Sequence, residues 1–462
     1  MFHRICIANR GEIAVRIIRT CREMNIETVA VYSTADADSL HVRMATQAVC
    51  IGPARAADSY LNKKNILTAA METGCDAIHP GFGFLSENSE FARLCEQCGL
   101  IFIGPRADVI DQMGNKAAAR KCMMERGVPV VPGSGQAVTG IREVRETAEE
   151  VGYPVLLKAS AGGGGRGMRR VDDPERLEAL FEEAKAEAKS CFGNDEMYVE
   201  KLIINPKHIE FQILADEFGN VLHLGERDCS IQRKNQKLME ESPCMTLSED
   251  LRQKMGNAAV EAARAAGYTS AGTVEFVAES HGGFYFIEMN TRIQVEHPVT
   301  EMVTGIDLIR EQIRIAYHQP LHVRQEEIRL RGHAIECRIN AENPQKGFQP
   351  NTGKIAFMHL PGGNGVRVDT ALYQGYQTSP FYDSMMAKII VYAPTRLEAI
   401  RKMRRALEEL TIDGIVTTGD FEYLVLHHPD YIQGKYHVGF LEQHLQEILT
   451  WDVNEEDPES QK

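Results

Sequence analysis

The 462-residue sequence lacks an excess of basic residues: 51 Lys and Arg stand against 65 Asp and Glu, a formal net charge of −14. That balance disfavours nucleic-acid binding, because neutralising a phosphate backbone takes clustered Lys and Arg. A local basic pocket for one small phosphate stays open. No apolar run reaches the roughly 20 residues of a membrane-spanning helix. The opening MFHRICIANRGEIAVRI has no apolar stretch followed by a small-residue cleavage site, so no secretory signal is expected. The 11 cysteines are odd in number and lie in apolar contexts such as Cys6, Cys50 and Cys122, which fits reduced thiols and a cytoplasmic location. H-E-x-x-H and G-x-S-x-G are both missing, which leaves zinc proteolysis and nucleophile-elbow hydrolysis without support. Cys95 and Cys98 form a lone C-x-x-C with no partner at zinc spacing. Adjacent His427 and His428 point different ways on any regular element, so neither pair is expected to hold a metal. No solenoid-type repeat is visible.

What is present is ordinary globular composition, 43% hydrophobic and 25% charged, long enough for about three domains. The first hundred residues alternate in a βα rhythm. RICIA (4–8), ETVAVYS (27–33), QAVCIG (47–52), CDAIHPG (75–81) and LIFIGP (100–105) read as strands. RGEIAVRIIRTCREM (10–24) reads as a helix with Ile13, Ile17, Cys21 and Met24 on one stripe, and a second helix is expected near 62–73. The pattern predicts a doubly wound, Rossmann-like parallel sheet. A helix over 114–127 and a Pro/Gly linker over 128–135 lead to a mixed α/β body. Short strands and Gly/Pro turns dominate 326–440, and the tail 452–462 is polar.

SAGGGGRGM contains a formal G-x-G-x-x-G in Gly162, Gly164 and Gly167. A Rossmann fingerprint must open a helix, whereas this loop runs into MRRV (168–171), which reads as a strand. No Lys-Ser or Lys-Thr follows, so a Walker A loop is excluded as well. A glycine hairpin whose bare N–H groups can fold over phosphates remains, with Lys158 adding a point charge from the preceding strand. A plain hairpin is the competing reading, but four consecutive glycines cost chain entropy without packing gain.

The most informative stretch is TVEFVAESHGGFYFIEMNTRIQVEHP (273–298). A turn centred between His281 and Gly282 sets Glu275 opposite Glu288, about 5 Å apart at Cβ, and alternation adds Asn290 and Arg292 to that face. Two such carboxylates repel by roughly 3 kcal/mol at an effective dielectric near 20. A divalent cation held by Glu275, Glu288 and Asn290 removes that penalty, and magnesium suits such oxygens together with substrate phosphates. The competing reading is a solvated face salt-bridged to Arg292, and a one-residue slip would separate the pair. Glu296 beside Arg292 is a candidate base toward a small acid. Lys237 lies in the basic run QRKNQK (232–237), which more often marks a solvated surface.

IANRGEIAVRI, HPGFGFLSEN, KASAGGGGRGM, ERDCSIQR and FIEMNTRIQVEHPVTE resemble the biotin carboxylase family of ATP-grasp enzymes, from about residue 2 to 445. The resemblance implies an N-terminal α/β domain over 1–113, an ATP-grasp body over 114–325 with a mobile lid near 130–202, a β-rich C-terminal domain over 326–446 and a polar tail over 447–462. It implies that Lys116 and Lys158 contact ATP phosphates under the Gly164–Gly165 backbone, that Glu200, Lys201 and Ile203 lie beside the adenine and His208 near the ribose, and that Gln232 and Asn235 belong to the nucleotide site. Glu275, Glu288 and Asn290 would hold Mg2+ or Mn2+; Lys237, Arg292, Gln294 and Val295 would bind bicarbonate. Glu296 would deprotonate bicarbonate, and Arg338 would bind biotin and stabilise its enolate.

The sequence departs from the family pattern at Asn235, where a His is common, at Phe82, where a Tyr is frequent, and in FQPNTGK (348–354), where FLPSPGK is usual. An A-M-K-M-like biotinylation site is missing from this sequence, since DSMMAKI (383–389) is not one, and no appended carrier or carboxyltransferase domain is expected. Biotin is therefore expected on a separate biotin carboxyl carrier protein, with carboxyltransferase subunits completing an acetyl-CoA carboxylase of fatty acid synthesis, and the chain is expected to be a homodimer. A pyruvate or propionyl-CoA carboxylase sharing this half-reaction, or a nucleotide-binding regulator without turnover, are the alternatives; a urea carboxylase is a weaker one.

Overall fold

The structure, a computed structural model, describes residues 1–159, 168–279 and 281–451. The N-terminal apolar runs form a five-stranded, wholly parallel sheet, with Gln47–Gly52, Glu27–Ser33, Arg4–Ile7, Ala77–His79 and Ile101–Phe102 in that spatial order. Strand order reverses at the central Arg4–Ile7, as in doubly wound folds. The helices Gly11–Glu23, Lys63–Glu72 and Ser89–Gln97 make the crossovers. Parallel strands need covering helices, and the first helix buries Ile13, Ile17 and Cys21 on the expected stripe. Asn62 and Asn88 cap the next two by accepting the Asn65 and Phe91 amides.

Beyond the helix Lys116–Glu125, a three-stranded antiparallel sheet is built from Met168–Val171, Val155–Ala159 and Met197–Lys201. MRRV is thus a strand, as its pattern predicts, and a short 3-10 turn at Pro174–Arg176 feeds the helix Leu177–Phe192. Gly164 and Gly165 lie outside the described residues. Leu157, Phe181 and Val199 pack a small core of their own beneath this sheet.

The largest element is an eight-stranded antiparallel sheet. Its spatial order is Phe284–Asn290, Ser270–Ala278, Lys207–Ala215, Val221–Arg233, Gln236–Ser242, His333–Asn340, Met385–Ala393 and Val366–Thr370. It runs without a break across residue 325, because Glu240 pairs with Glu336 between the fifth and sixth strands. Position 326 is therefore a change of connection, not of sheet. The helices Arg396–Glu409, Gly419–His427 and Phe440–Thr450 share this part of the chain with a further short strand, Thr411–Asp413, which pairs with Phe357–His359, so strands and helices alternate in the segment expected to be rich in short strands. The last helix also takes in 447–450, expected as the start of the tail, because Ile448 is fully buried in the C-terminal core.

In the hairpin of 273–290, Ala278, Val277 and Phe276 pair with Phe284, Tyr285 and Phe286, and Glu275 then pairs with Glu288. The skipped Ile287 is a one-residue bulge, and its side chain is exposed. The expected carboxylate pair exists, but its register comes from this bulge and not from an uninterrupted ladder. Phe276 anchors the hairpin from the opposite face, packing edge-on against Phe211 and Phe284 at 6.2 and 5.5 Å. Phe276→Ala is expected to cost about 3–5 kcal/mol, read as a lowered midpoint in chemical denaturation.

Candidate functional site

Four neighbouring strands place Glu288, Glu275, Glu210 and Arg227 in one cross-strand row. Cross-strand partners share a face, so the sheet register by itself brings three carboxylates together. Lys237, from the next strand, answers them. Its ammonium lies 2.6 Å from Glu210, 3.2 Å from Glu275 and 2.6 Å from Glu296. Burial alone would depress that ammonium, but these three carboxylates hold it well above the usual lysine range. The run QRKNQK is therefore split: Lys234 and Asn235 form an exposed left-handed turn, while Lys237 points inward.

Glu296 stands at the residue just before the helix His297–Thr304, without a side-chain capping bond, and is fully buried. Burial would raise its carboxyl, yet Lys237, Arg338 and Arg227 hold it well below the usual range. Its cation partners are Lys237 and, at 2.8 Å, Arg338; the expected partner Arg292 instead donates to Glu87 at 3.0 Å. Arg292 also donates to Gln294 Oε1 at 3.0 Å and to Asn290 Oδ1 at 3.1 Å. Gln294 and Asn290 in turn donate to Glu275 at 3.1 and 2.8 Å. Arg338 sits between Glu296 and Glu240, the latter at 2.5 Å.

Glu275 and Glu288 are pushed in opposite directions. Against the cost of burial, Lys237 and His208 hold Glu275 below the normal range, with His208 Nε2 2.9 Å away. Burial and the charge of Glu275 raise Glu288. Among the described residues its carboxylate makes no hydrogen bond or ion pair. That uncompensated acid beside Glu275 and the Asn290 amide is a set of hard oxygen donors, which fits a magnesium-sized cation. Glu288, Asn290, Lys116 and Glu87 line a cleft of about 200 Å³.

Of the remaining expected residues, Lys158, Glu200, Lys201 and Ile203 lie on or next to the three-stranded sheet, while Gln232 and Val295 border the cluster. Lys158 ion-pairs with Glu200 in the three-stranded sheet. Lys201 donates to the Gly152 and Tyr153 carbonyls at 2.9 and 3.0 Å, so its ammonium is committed to backbone. Ile203 lies in the loop just after that strand, Gln232 is buried opposite Lys237, and Val295 presents its carbonyl to Lys388. Glu87, Glu210, Arg227, Glu240 and Lys388 were not singled out from sequence. Each reaches the site through partners tens to hundreds of residues away, and local spacing carries no such signal. Cys95 is buried in the N-terminal core as a packing thiol. His428, Asp430 and His444 converge unexpectedly, but His428 Nδ1 accepts the Asp430 amide and His444 faces Glu447 at 3.2 Å.

Three family matches tile the chain: "Biotin carboxylase, N-terminal domain" over 1–110, "Carbamoyl-phosphate synthase L chain, ATP binding domain" over 115–324 and "Biotin carboxylase C-terminal domain" over 336–443. Biotin carboxylase 1 of Bacillus subtilis is 55% identical over 454 residues, 98% of this chain and 99% of its own. The chain belongs to the biotin carboxylase family. Solved biotin carboxylases agree in fold. The Campylobacter jejuni enzyme, in a complex with a β-γ-ATP ligand, matches with TM-score 0.91 at 48% identity over 96% of this chain and 99% of its own. The biotin carboxylase domain dimer of Hydrogenobacter thermophilus 2-oxoglutarate carboxylase, holding MgADP, ADP and bicarbonate, matches with TM-score 0.90 at 50% identity over 98% and 99%.

Glu240 supplies a pH test of the charge cluster. Burial, only partly offset by Arg338, raises its carboxyl to about 7. A carboxyl raised by folding stabilises the folded state below its unfolded value of about 4.5, and loses that contribution as pH rises toward 7. Glu240→Gln is expected to flatten the fall in stability between those two pH values, measured by denaturation at several pH values.

Proposed function

We propose that this chain carboxylates biotin with ATP and bicarbonate, as an ATP-dependent carbon–nitrogen ligase. The observation that carries the reading is the convergence of Lys237, Glu275, Glu296, Arg292 and Arg338 on one buried face, with the uncompensated Glu288 at its edge. Lys116 and Lys158 would contact ATP phosphates, Gly164 and Gly165 would close over them, and Glu200, Lys201, Ile203, His208, Gln232 and Asn235 would form the rest of the nucleotide site. Glu275, Glu288 and Asn290 would hold Mg2+ or Mn2+. A cation there supplies charge neutralisation for the phosphates being transferred.

Lys237, Arg292, Gln294 and Val295 would bind bicarbonate and present it to Glu296. Bicarbonate seated on Lys237 takes part of the ammonium's attraction away from Glu296, which makes that carboxylate a better base than its present pairing allows. Deprotonated bicarbonate attacks the γ-phosphorus, and ADP leaves as carboxyphosphate forms. Carboxyphosphate collapses to carbon dioxide and phosphate, the phosphate takes the ureido proton of biotin, and Arg338 stabilises the resulting negative charge. Carbon dioxide then bonds to the ureido nitrogen.

The division at 1–113, 114–325 and 326–446 belongs to this reading, as do a lid near 130–202, a homodimer and a cytoplasmic location. Among the described residues no helix is long and apolar enough to cross a membrane. Biotin would arrive on a carrier protein, with carboxyltransferase subunits passing the carboxyl group to acetyl-CoA. The same half-reaction in a different acyl or keto-acid carboxylase is the second reading, favoured by the 2-oxoglutarate carboxylase match. Co-purification of the biotinylated partner with its transferase decides between them.

Free biotin, ATP and magnesium are expected to give ADP release that depends on bicarbonate; release independent of bicarbonate contradicts the proposal. Chelating the divalent cation is expected to abolish turnover. Arg338→Ala is expected to lower biotin carboxylation about 10²- to 10³-fold while MgADP binding, followed by calorimetry, stays close to that of the unaltered protein. Equal loss of both counts against the role given to Arg338.

A further inference from the structure

Lys388 is a fully buried lysine in the strand Met385–Ala393. Its direct cross-strand partners are Arg338 on one side and Asp369 on the other, so the three side chains share a face of the large sheet. The segment 292–296 lies over that face. Lys388 Nζ donates to the Val295 carbonyl at 2.8 Å, and Arg338 donates to the carboxylate of the very next residue, Glu296, also at 2.8 Å. Two adjacent loop residues are therefore held by two adjacent sheet cations. The Lys388 ammonium lies 3.2 Å from Glu12, in the first turn of the helix Gly11–Glu23. Asp369 supplies further negative charge, and Glu336, whose carboxyl burial pushes up, Arg367 and His297 also face the group.

We propose that Lys388 is a positioning residue: by fixing the Val295 carbonyl it sets the Val295–Glu296 peptide, and so aims the Glu296 carboxylate and the anion-binding segment at bicarbonate. The proposal rests on the function assigned above. A planar trans peptide carries its carbonyl and amide as one rigid unit. Anchoring the Val295 oxygen therefore fixes the plane from which the Glu296 side chain departs, while Arg338 fixes that side chain's far end. A buried ammonium is a poor device for stability alone, since an apolar residue of similar size commonly serves as well. It is a good device for placing a carbonyl, because it carries three donors on a flexible stem. Here one donor meets the loop while Glu12 lies beside the ammonium. The same ammonium ties the anion-binding segment to the N-terminal helix.

The test compares the full-length protein with Lys388→Met and with the double variant Lys388→Met/Glu12→Gln. The second removes the carboxylate that the first leaves unpaired. Misplacing a catalytic group by about 1 Å costs on the order of 100-fold. Both variants are expected to raise the bicarbonate KM and lower kcat, by about 10- to 100-fold in kcat/KM, with the KM for ATP and the affinity for MgADP within about twofold. The double variant is expected to recover most of the thermal stability lost in the single one and none of the bicarbonate defect. A folded double variant with bicarbonate kinetics like those of the unaltered protein overturns the proposal. So does a loss of bicarbonate and nucleotide affinity in equal measure. Absence of bicarbonate-dependent turnover in the unaltered protein overturns instead the function on which the proposal stands.

Discussion

One ammonium group, that of Lys237, lies among three buried carboxylates, and the rest of the site is arranged around that imbalance. Glu210, Glu275 and Glu296 come from two strands and the residue just before a helix, and all three lie within 3.2 Å of the same nitrogen. Unpaired, each would be expensive to bury. Held together they form a compact charge lattice whose outer members, Arg227 and Arg338, return some of the missing positive charge. The lattice is not neutral at its edge: Glu288 has no protein partner of its own among the described residues. This is the physical reason to place a divalent cation there.

In the proposed reading the same lattice would hold two anions of different size. A cation opposite Glu288 and Glu275 would serve a triphosphate, and the Lys237–Arg292 side would serve a small planar anion next to the base. Because Lys237 also restrains Glu296, arrival of that anion and activation of the base would be linked through one nitrogen. Lys388 and Arg338 extend the arrangement across the sheet, so the loop carrying the base is held at its backbone and at its carboxylate.

The continuous eight-stranded sheet makes this possible. Had the sheet ended at residue 325, Arg338 and Lys388 would belong to a separate body and their distance from Glu296 would vary with any motion between bodies. Antiparallel pairing of Gln236–Ser242 with His333–Asn340 instead locks them in register with Lys237. Lys158, Glu200 and Lys201, proposed for the nucleotide side, lie on a smaller sheet with its own core.

Local pattern was enough to read the parallel N-terminal sheet, the helix stripes, the strand after the glycine run and the pairing of Glu275 with Glu288, because each depends on residues close in sequence. The hairpin pairing was legible even though the bulge at Ile287 was not: a bulge displaces register by one residue without changing composition. Alternation and residue chemistry singled out Arg292 and Glu296, motif resemblance added Arg338 and gave Lys237 its expected role, and charge pattern alone would have left Lys237 on a solvated surface. What only the tertiary structure decided is which charges meet. Glu210 is 65 residues from its partner Glu275, and Lys388 is 93 from the Val295 carbonyl it holds. Contacts of that separation are set by strand order and sheet register, which arise when the whole sheet assembles and leave no periodic trace in any one segment.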